Sequence, residues 1–304
     1  MLDGIFWLVR NVALAFYNLV YAITHPSTWL DWSDGTSLMR FVYYGGSLEF
    51  SFVVFTTFLV ITIVGVWKTE FLWGVVRVLE GIANGVGRVF AWAGLVMVLQ
   101  QTMVIFLQAI FRVSEISLAP FGLDLTMPLG WWGDGLKLYN ALIVCLCCTY
   151  TFVQGGHVRV DLFYAPANFR TKKIIDMVGS IFFVMPMAVL IWMFGWFFMW
   201  RHLITPKVNS TETLERALLK SRAVRWNVET IGFSPNGFNG YFIFKLLIVA
   251  FAAMIFLQAV AFFYRSYLEW REGPDSQGKY LDRDNLNAEP VEAIGAAQPA
   301  HEGQ

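Results

Sequence analysis

The chain has 304 residues, 57% of them hydrophobic, 17% aromatic and only 14% charged, where a soluble domain carries about 25% charged residues. That composition excludes an ordinary soluble domain and marks an integral membrane protein. The 22 basic and 22 acidic residues cancel, so no global field draws in nucleic acid or acidic substrates, and partners have to be argued locally.

In chain order, the first apolar run is Ile5 to Thr24, which contains Arg10, Asn11 and Asn18. It either spans the bilayer with Arg10 snorkelling or lies in the interface, and spanning is preferred. No basic residue precedes it and no small-residue cleavage pattern ends it before His25 and Pro26, so it is not read as a signal peptide. Phe50 to Trp67 is uncharged, and a bilayer core of roughly 30 Å needs about 20 helical residues that satisfy their own backbone hydrogen bonds. Residues 1–68 therefore read as a membrane extension with one or two spans.

Residues 69–88 have a different pattern. At helical spacing Phe71, Leu72, Val75, Val76, Val78, Leu79, Ile82 and Val86 share one sector, with Glu70, Arg77, Glu80, Asn84 and Arg88 opposite. This predicts an interfacial amphipathic helix, with Trp73 as an aromatic anchor. Its glycines at 74, 81, 85 and 87 weaken intrinsic helicity, so burial has to stabilise it. Four more uncharged runs follow: Val89 to Phe111, Leu138 to Gly156, Met177 to Trp200 and Leu246 to Tyr264. The fold class predicted is an all-α integral membrane protein of about six transmembrane helices with interfacial amphipathic helices. Residues 89–267 form a four-helix membrane domain with a long loop at 201–237. Within that loop a helix is expected from Ser210 to about Arg225, with Glu212 and Arg216 as an i,i+4 pair. The Gly- and Pro-dotted segment 268–304 reads as a disordered tail.

With both termini cytoplasmic, the short inner loops carry Lys68, Arg77 and Arg88, then Arg159, Arg170, Lys172 and Lys173, as the positive-inside rule requires. The basic residues of the 201–237 loop run against it, and long loops follow the rule less strictly.

The clean runs contain no Asp, Glu, Arg, Lys or His, whereas a conducting pathway keeps such costly groups in its spans. Pro186 alone interrupts a span centrally and reads as a tolerated kink. His25, His157, His202 and His301 lie at span ends, in loops or in the tail, which argues against b-type haem. Cys145, Cys147 and Cys148 lie inside a span and read as small apolar packing groups. Gln101 and Gln108, seven apart, suit hydrogen bonding across a helix–helix contact; satisfaction by their own backbone or interfacial water is the alternative.

"GGHVRVDLFY" begins at Gly155. Its glycines can end a helix, and its valines can rest in the interface while His157, Arg159 and Asp161 face water. From about Ile82 to Tyr267 the chain resembles the small membrane subunit (DctQ-type) of tripartite ATP-independent periplasmic, or TRAP, transporters. Residues Gly156 to Asp161 match the family's Gly-His-(Val/Ile)-Arg-Val-Asp run closing its second helix. Trp131, Trp132 and Asp134 match its aromatic–acidic pattern, and the Pro186 span with "FGWFFMW" its third helix. Glu229, Thr230, Lys245 and Gln258 fall where its Glu-Ser, lysine and glutamine stand. Asp134 replaces the usual Glu, and Gln108 and Gln154 replace usual basic residues, which withdraws support from any salt bridge assumed there.

The resemblance implies a subunit of the bacterial inner membrane that is not an enzyme and has no cofactor of its own. It packs as a scaffold against a large multi-span permease (DctM-like), which carries the substrate and uses the sodium gradient. A periplasmic binding protein (DctP-like) delivers a small organic acid. Arg159, Arg170, Lys172 and Lys173 would meet anionic headgroups, each cation adding about 1 kcal/mol. Asp161 would pair with a basic group, and His157 would bond a neighbouring loop. Asp134, Glu229 and Lys245 would order periplasmic loops or touch the binding protein. For each, a solvated helix-end charge is the alternative. A haem-free anchor of a respiratory oxidoreductase and a membrane-complex assembly factor are the competing functions.

Overall fold

The structure, a computed structural model, describes residues 2–118, 125–155, 164, 166–232, 235 and 237–282. Helix α1 (Leu2–Thr24) leads through the single turn α2 (Ser27–Leu30) and α3 (Gly35–Gly45) to α4 (Leu48–Trp67) and α5 (Thr69–Ala109). Strands β1 (Glu115–Leu118) and β2 (Leu125–Pro128) pair antiparallel, Glu115 opposite Pro128, and feed α6 (Leu129–Gln154). Helix α7 (Phe169–Gly179) continues through a π turn, Ser180–Val184, into α8 (Met185–Trp200). Two-residue strands β3 (Ile204–Thr205) and β4 (Arg225–Trp226) bracket α9 (Leu214–Lys220), and α10 is Tyr241–Glu272.

Six helical lengths are long and apolar enough to cross a membrane: α1, α4, α5, α6, α7 with α8, and α10. Among the described residues the protein is predominantly helical with almost no sheet, an all-α, multi-pass membrane protein. Of the most apolar window of each, 39% is buried in α10 but 11% in α5 and 6% in α1. The bundle is accordingly organised around α10, and α1 is peripheral, held to α4 by Ala15 and an edge-on contact of Trp7 with Phe52, centroids 5.3 Å apart.

Helix α5 runs antiparallel to both α6 and α10. Gly87 lies against Tyr150, so closely that a Cβ would sit 2.0 Å from the tyrosine's own, and Val104 lies beside Leu129. On the other side Trp73 meets Glu272 and Glu80 meets Arg265. The helix has no break at Arg88, and its 41 residues make a rod about 60 Å long. Its first four turns project past the end of α6 and pack on α10. This corrects the separate helix expected over 69–88, and the buried stripe is also not the predicted one. Leu72, Trp73, Val76, Glu80, Ala83, Asn84 and Gly87 face inward, while Phe71, Val78 and Ile82 are exposed. A polar side chain in a membrane protein gains more from a buried partner than an apolar one does from leaving lipid, so Glu80 and Asn84 turn in.

Pro186 lacks an N–H to give to the carbonyl of Phe182. The helix passes it by widening one turn beforehand, the Met185 amide donating to the Ser180 carbonyl five residues back. Helix α6 stops at Gly155, whose φ of 74° lies in the left-handed region and whose amide donates to the carbonyls of Thr151 and Phe152. The glycine expected to end that helix does so.

Helix α3 was not anticipated. The Asp34 carboxylate caps it, accepting from the amides of Thr36 and Ser37 at 3.2 Å each. Leu38, Met39 and Val42 pack into Trp196, Met199 and Trp200 of α8 with Ile204, Val208 and Ala217. Trp192 and Trp196, one turn apart, donate their indole N–H groups to the carbonyls of Gly45 and Val42, both at 2.8 Å. These bonds satisfy carbonyls that the end of a helix leaves free. In the following loop, the helix expected from Ser210 to about Arg225 is shorter, Leu214 to Lys220, with Thr213 at its cap position. Glu212 precedes it and pairs with Lys220, not Arg216. The disordered tail expected from 268 is corrected over 268–282: α10 runs on to Glu272 and residues 273–282 fold back over α5; residues 283–304 lie outside the described residues.

A Cβ at Gly45 would sit 2.2 Å from the Trp196 ring. Gly45→Ala is therefore expected to lower stability by about 1–3 kcal/mol, measured by thermal unfolding in detergent. The Thr36 amide, with that of Ser37, holds the Asp34 carboxyl below its ordinary 3.8. The cap thus stabilises α3 above that value and is lost as the pH falls through the depressed one. Asp34→Ala is expected to lower the melting temperature at neutral pH and to cost progressively less on acidification through the carboxyl range.

Candidate functional site

Charged side chains concentrate at the two ends of the bundle. At the end where α4 turns into α5, Arg265 of α10 donates through Nε and Nη2 to the two carboxylate oxygens of Glu80 on α5, both at 2.6 Å. Its Nη1 donates to the Lys279 carbonyl at 3.0 Å and lies 3.6 Å from Glu269 one turn along. Lys173 of α7 meets the other oxygen of Glu269 at 2.6 Å. Glu80, Arg265 and Glu269 are all buried. Two cations and two carboxylates thus close on one another with no net charge, the condition under which buried charge is tolerated. The planar guanidinium suits this place because its fork matches a carboxylate in two parallel bonds.

The chain beyond α10 completes the junction. Trp73 places its ring 5.5 Å from the Arg265 guanidinium and donates its indole N–H to Glu272 at 2.8 Å. The Gly278 amide donates to Glu269 at 3.1 Å. The Asp282 carbonyl accepts from Asn84 at 2.9 Å and from Gln154 at 3.1 Å, and the Asp282 carboxylate pairs with Arg88 at 3.0 Å. Helices α5, α6, α7 and α10 are therefore tied together immediately before the glycine–histidine run. Lys173 was expected at anionic headgroups. Its Nζ is committed to Glu269 instead, because a buried carboxylate binds an ammonium more strongly than a hydrated headgroup can.

At the opposite end, Lys245 in the first turns of α10 is only 3% exposed. Its ammonium lies 4.9 Å from the centre of the Phe198 ring and 4.7 Å from that of Tyr241, an aromatic enclosure of the kind that binds cations. His202, just past α8, places Nδ1 2.7 Å from the Phe198 carbonyl and Nε2 3.0 Å from the Glu229 carboxylate. The Glu229 amide donates back to the His202 carbonyl at 2.9 Å. Glu229 and Lys245 thus share one neighbourhood.

Asp134 pairs with Lys137 at 2.8 Å, one turn along α6. Trp132 stands edge-on to Trp131, which meets Phe238 at 5.3 Å and ties the start of α6 to the segment before α10. The Trp132 carbonyl accepts from Gln100 at 2.8 Å. Gln100, not its neighbour, therefore makes the contact expected of Gln101; both Gln101 and Gln108 face outward. Seven-residue spacing places two side chains on one face without saying which face is buried, and the α6 carbonyl lies on the other. Gly156, His157, Arg159 and Asp161 lie outside the described residues. Cys147 packs against the Gly87 carbonyl at 3.5 Å, as a small buried group does. Among the described residues no group of three or more His, Cys, Asp or Glu side chains converges to hold a metal ion.

Sequence reasoning missed the Glu80–Arg265–Glu269–Lys173 cluster. Its legible trace is Arg265 and Glu269, one turn apart near the end of a mainly apolar helix, together with Glu80 among the apolar residues of α5.

No family model, curated protein or solved structure matches the chain. The fold and the two clusters define a multi-pass membrane protein whose central helix is clamped at one end by paired charges and at the other by the aromatic enclosure of Lys245.

Glu80→Ala and Arg265→Ala are each expected to cost about 3–5 kcal/mol, because each strands a buried charge, while replacing both with apolar residues of similar volume costs far less. A double-mutant cycle followed by thermal unfolding reads the coupling.

Proposed function

We propose that the chain is the small membrane subunit of a sodium-coupled, binding-protein-dependent TRAP transporter for small organic acids, with its four family helices at 89–267 and one or two extra spans before them. It acts as a scaffold for the large, DctM-like permease in the bacterial inner membrane, and a DctP-like binding protein supplies the substrate. With two extra spans both termini are cytoplasmic, so the Arg265 cluster faces the cytoplasm and the His202 cluster the periplasm. The observation that carries the proposal is where the ionisable groups stand. Apart from Arg10 in α1, the charged groups stand near the helix ends, where several pair with one another, and the stretches 50–66, 89–108, 138–153, 177–200 and 246–264 contain no Asp, Glu, Lys, Arg or His. A subunit that carried the substrate or the coupling ions itself would keep such groups at mid-membrane.

The outer surface supports the same role. Between 6% and 39% of each apolar window is buried within the chain, which leaves wide apolar faces for lipid and for a larger subunit. The match of Gly156 to Asp161 to the family's signature supports the specific assignment.

The test is co-expression with the neighbouring reading frames. The chain is expected to co-purify in fixed stoichiometry with a large multi-span permease, and organic-acid uptake by proteoliposomes is expected to need both chains together with the binding protein. Equal uptake by the large subunit alone would sink the scaffold role. Co-purification with a redox subunit instead would move the chain to the respiratory-anchor class.

A further inference from the structure

The first turns of α5, the last turn of α10 and the chain folded back after it enclose a cavity of about 430 Å³, within the roughly 300–1,000 Å³ of small-molecule sites. Glu70, Trp73, Gly74 and Arg77 line it from α5, and Glu272, Lys279 and Tyr280 from the later chain. A Cβ on Gly74 would meet nothing within 4 Å, so the absence of a side chain there keeps the space open. Glu70 and Arg77 stand one turn to either side of that glycine, about 10 Å apart along the helix axis. Among the described residues neither side chain makes a hydrogen bond or an ion pair. The Arg77 guanidinium lies 5.3 Å from the centre of the Tyr280 ring, and the Lys279 ammonium 5.2 Å from it. Glu272 accepts from the Trp73 indole at 2.8 Å and lies 3.5 Å from Lys279.

We infer that this cavity binds the headgroup of a zwitterionic aminophospholipid, with the phosphate on Arg77 and Lys279 and the primary ammonium on Glu70 and Glu272. Two cations and two carboxylates line the space, so it offers no net attraction to a simple anion or cation, while a ligand that bears both signs answers each. The guanidinium fork matches two phosphate oxygens, and a primary ammonium has three N–H groups to give to carboxylates. A phosphocholine head has no N–H to donate, and a phosphoglycerol head brings no cation to Glu70. Trp73 and Tyr280 add ring faces on which an ammonium is held.

The setting selects a lipid as the source of that headgroup. Helix α4 is uncharged from Phe50 to Trp67 and Lys68 follows at once, so the corner from which α5 departs marks the edge of the hydrocarbon layer. Trp67 is 81% exposed at that corner, and Phe71 and Val78, one turn to either side of Gly74, are exposed on α5. Acyl chains hanging from a bound headgroup meet these apolar side chains. Indole and phenol rings favour this depth, where one edge is wet and the rest of the ring is not. The site does not depend on the transport role proposed above.

The test is native mass spectrometry of the full chain released from detergent, with phosphatidylethanolamine, phosphatidylcholine and phosphatidylglycerol of identical acyl chains offered in equal amounts. Retention of one phosphatidylethanolamine is expected to exceed that of either competitor about tenfold, the worth of one charge-assisted hydrogen bond. Gly74→Leu fills the cavity from an open helical position and should abolish the preference. Equal retention of the three lipids overturns the proposal, as does a preference for phosphatidylglycerol or an unchanged preference in a folded Gly74→Leu variant. Displacement of the lipid by an equal concentration of free phosphoethanolamine overturns the lipid assignment and gives the site to the soluble compound. If Gly74→Leu does not fold, the double variant Glu70→Gln, Arg77→Gln, which breaks no ion pair, decides it in the same way.

Discussion

Arg265 and Glu80 are withdrawn from water together, and the arrangement of the central helices depends on their meeting. Neither group can be buried alone, since an isolated charge in a medium of low polarity costs far more than a helix contact returns. Their bidentate contact sets the register of α5 on α10. That register brings Trp73 to Glu272 and leaves Asn84 at the end of α6, where the chain after α10 can reach it. Lys173 supplies the second cation that Glu269 needs, so α7 is positioned by the same balance of charge.

The other end of the bundle is organised by aromatic residues. Trp192, Trp196 and Trp200 form a stripe along α8. The first two satisfy the free carbonyls at the end of α3, and the last packs edge-on against Trp32 and Phe41. Indole suits this setting because one edge donates a hydrogen bond while the rest of the ring is apolar. An amphipathic helix too short to cross a membrane is thereby fixed against the bundle, with Asp34 closing its exposed end.

The six apolar runs are legible in the sequence because the requirement for spanning is local: about 20 residues with little or no charge. Gly155 is legible for the same reason, since a left-handed helix end is a property of one residue. The charged junction is not, because Glu80 and Arg265 stand 185 residues apart and nothing in either segment names the other. Periodicity correctly makes residues 69–88 helical and two-faced. It places the boundary wrongly because it assumes that the polar face seeks water, whereas here part of that face seeks α10. Gln100 and Gln101 differ only by 100° of helix rotation, which hydropathy does not resolve without knowing where α6 lies. Helix α3 escapes because its apolar face is completed by the tryptophans of α8, more than 150 residues later.

The unbroken length of α5 has a mechanical consequence. A rod of about 60 Å is roughly twice the thickness of the hydrocarbon layer, and among the described residues it contains no proline and no widened turn to act as a joint. A tilt of about 10° at one end would move the other by about 10 Å. What holds the Glu80 end therefore also aims the hairpin of β1 and β2 on the far side, so that the two faces of the bundle move as one lever.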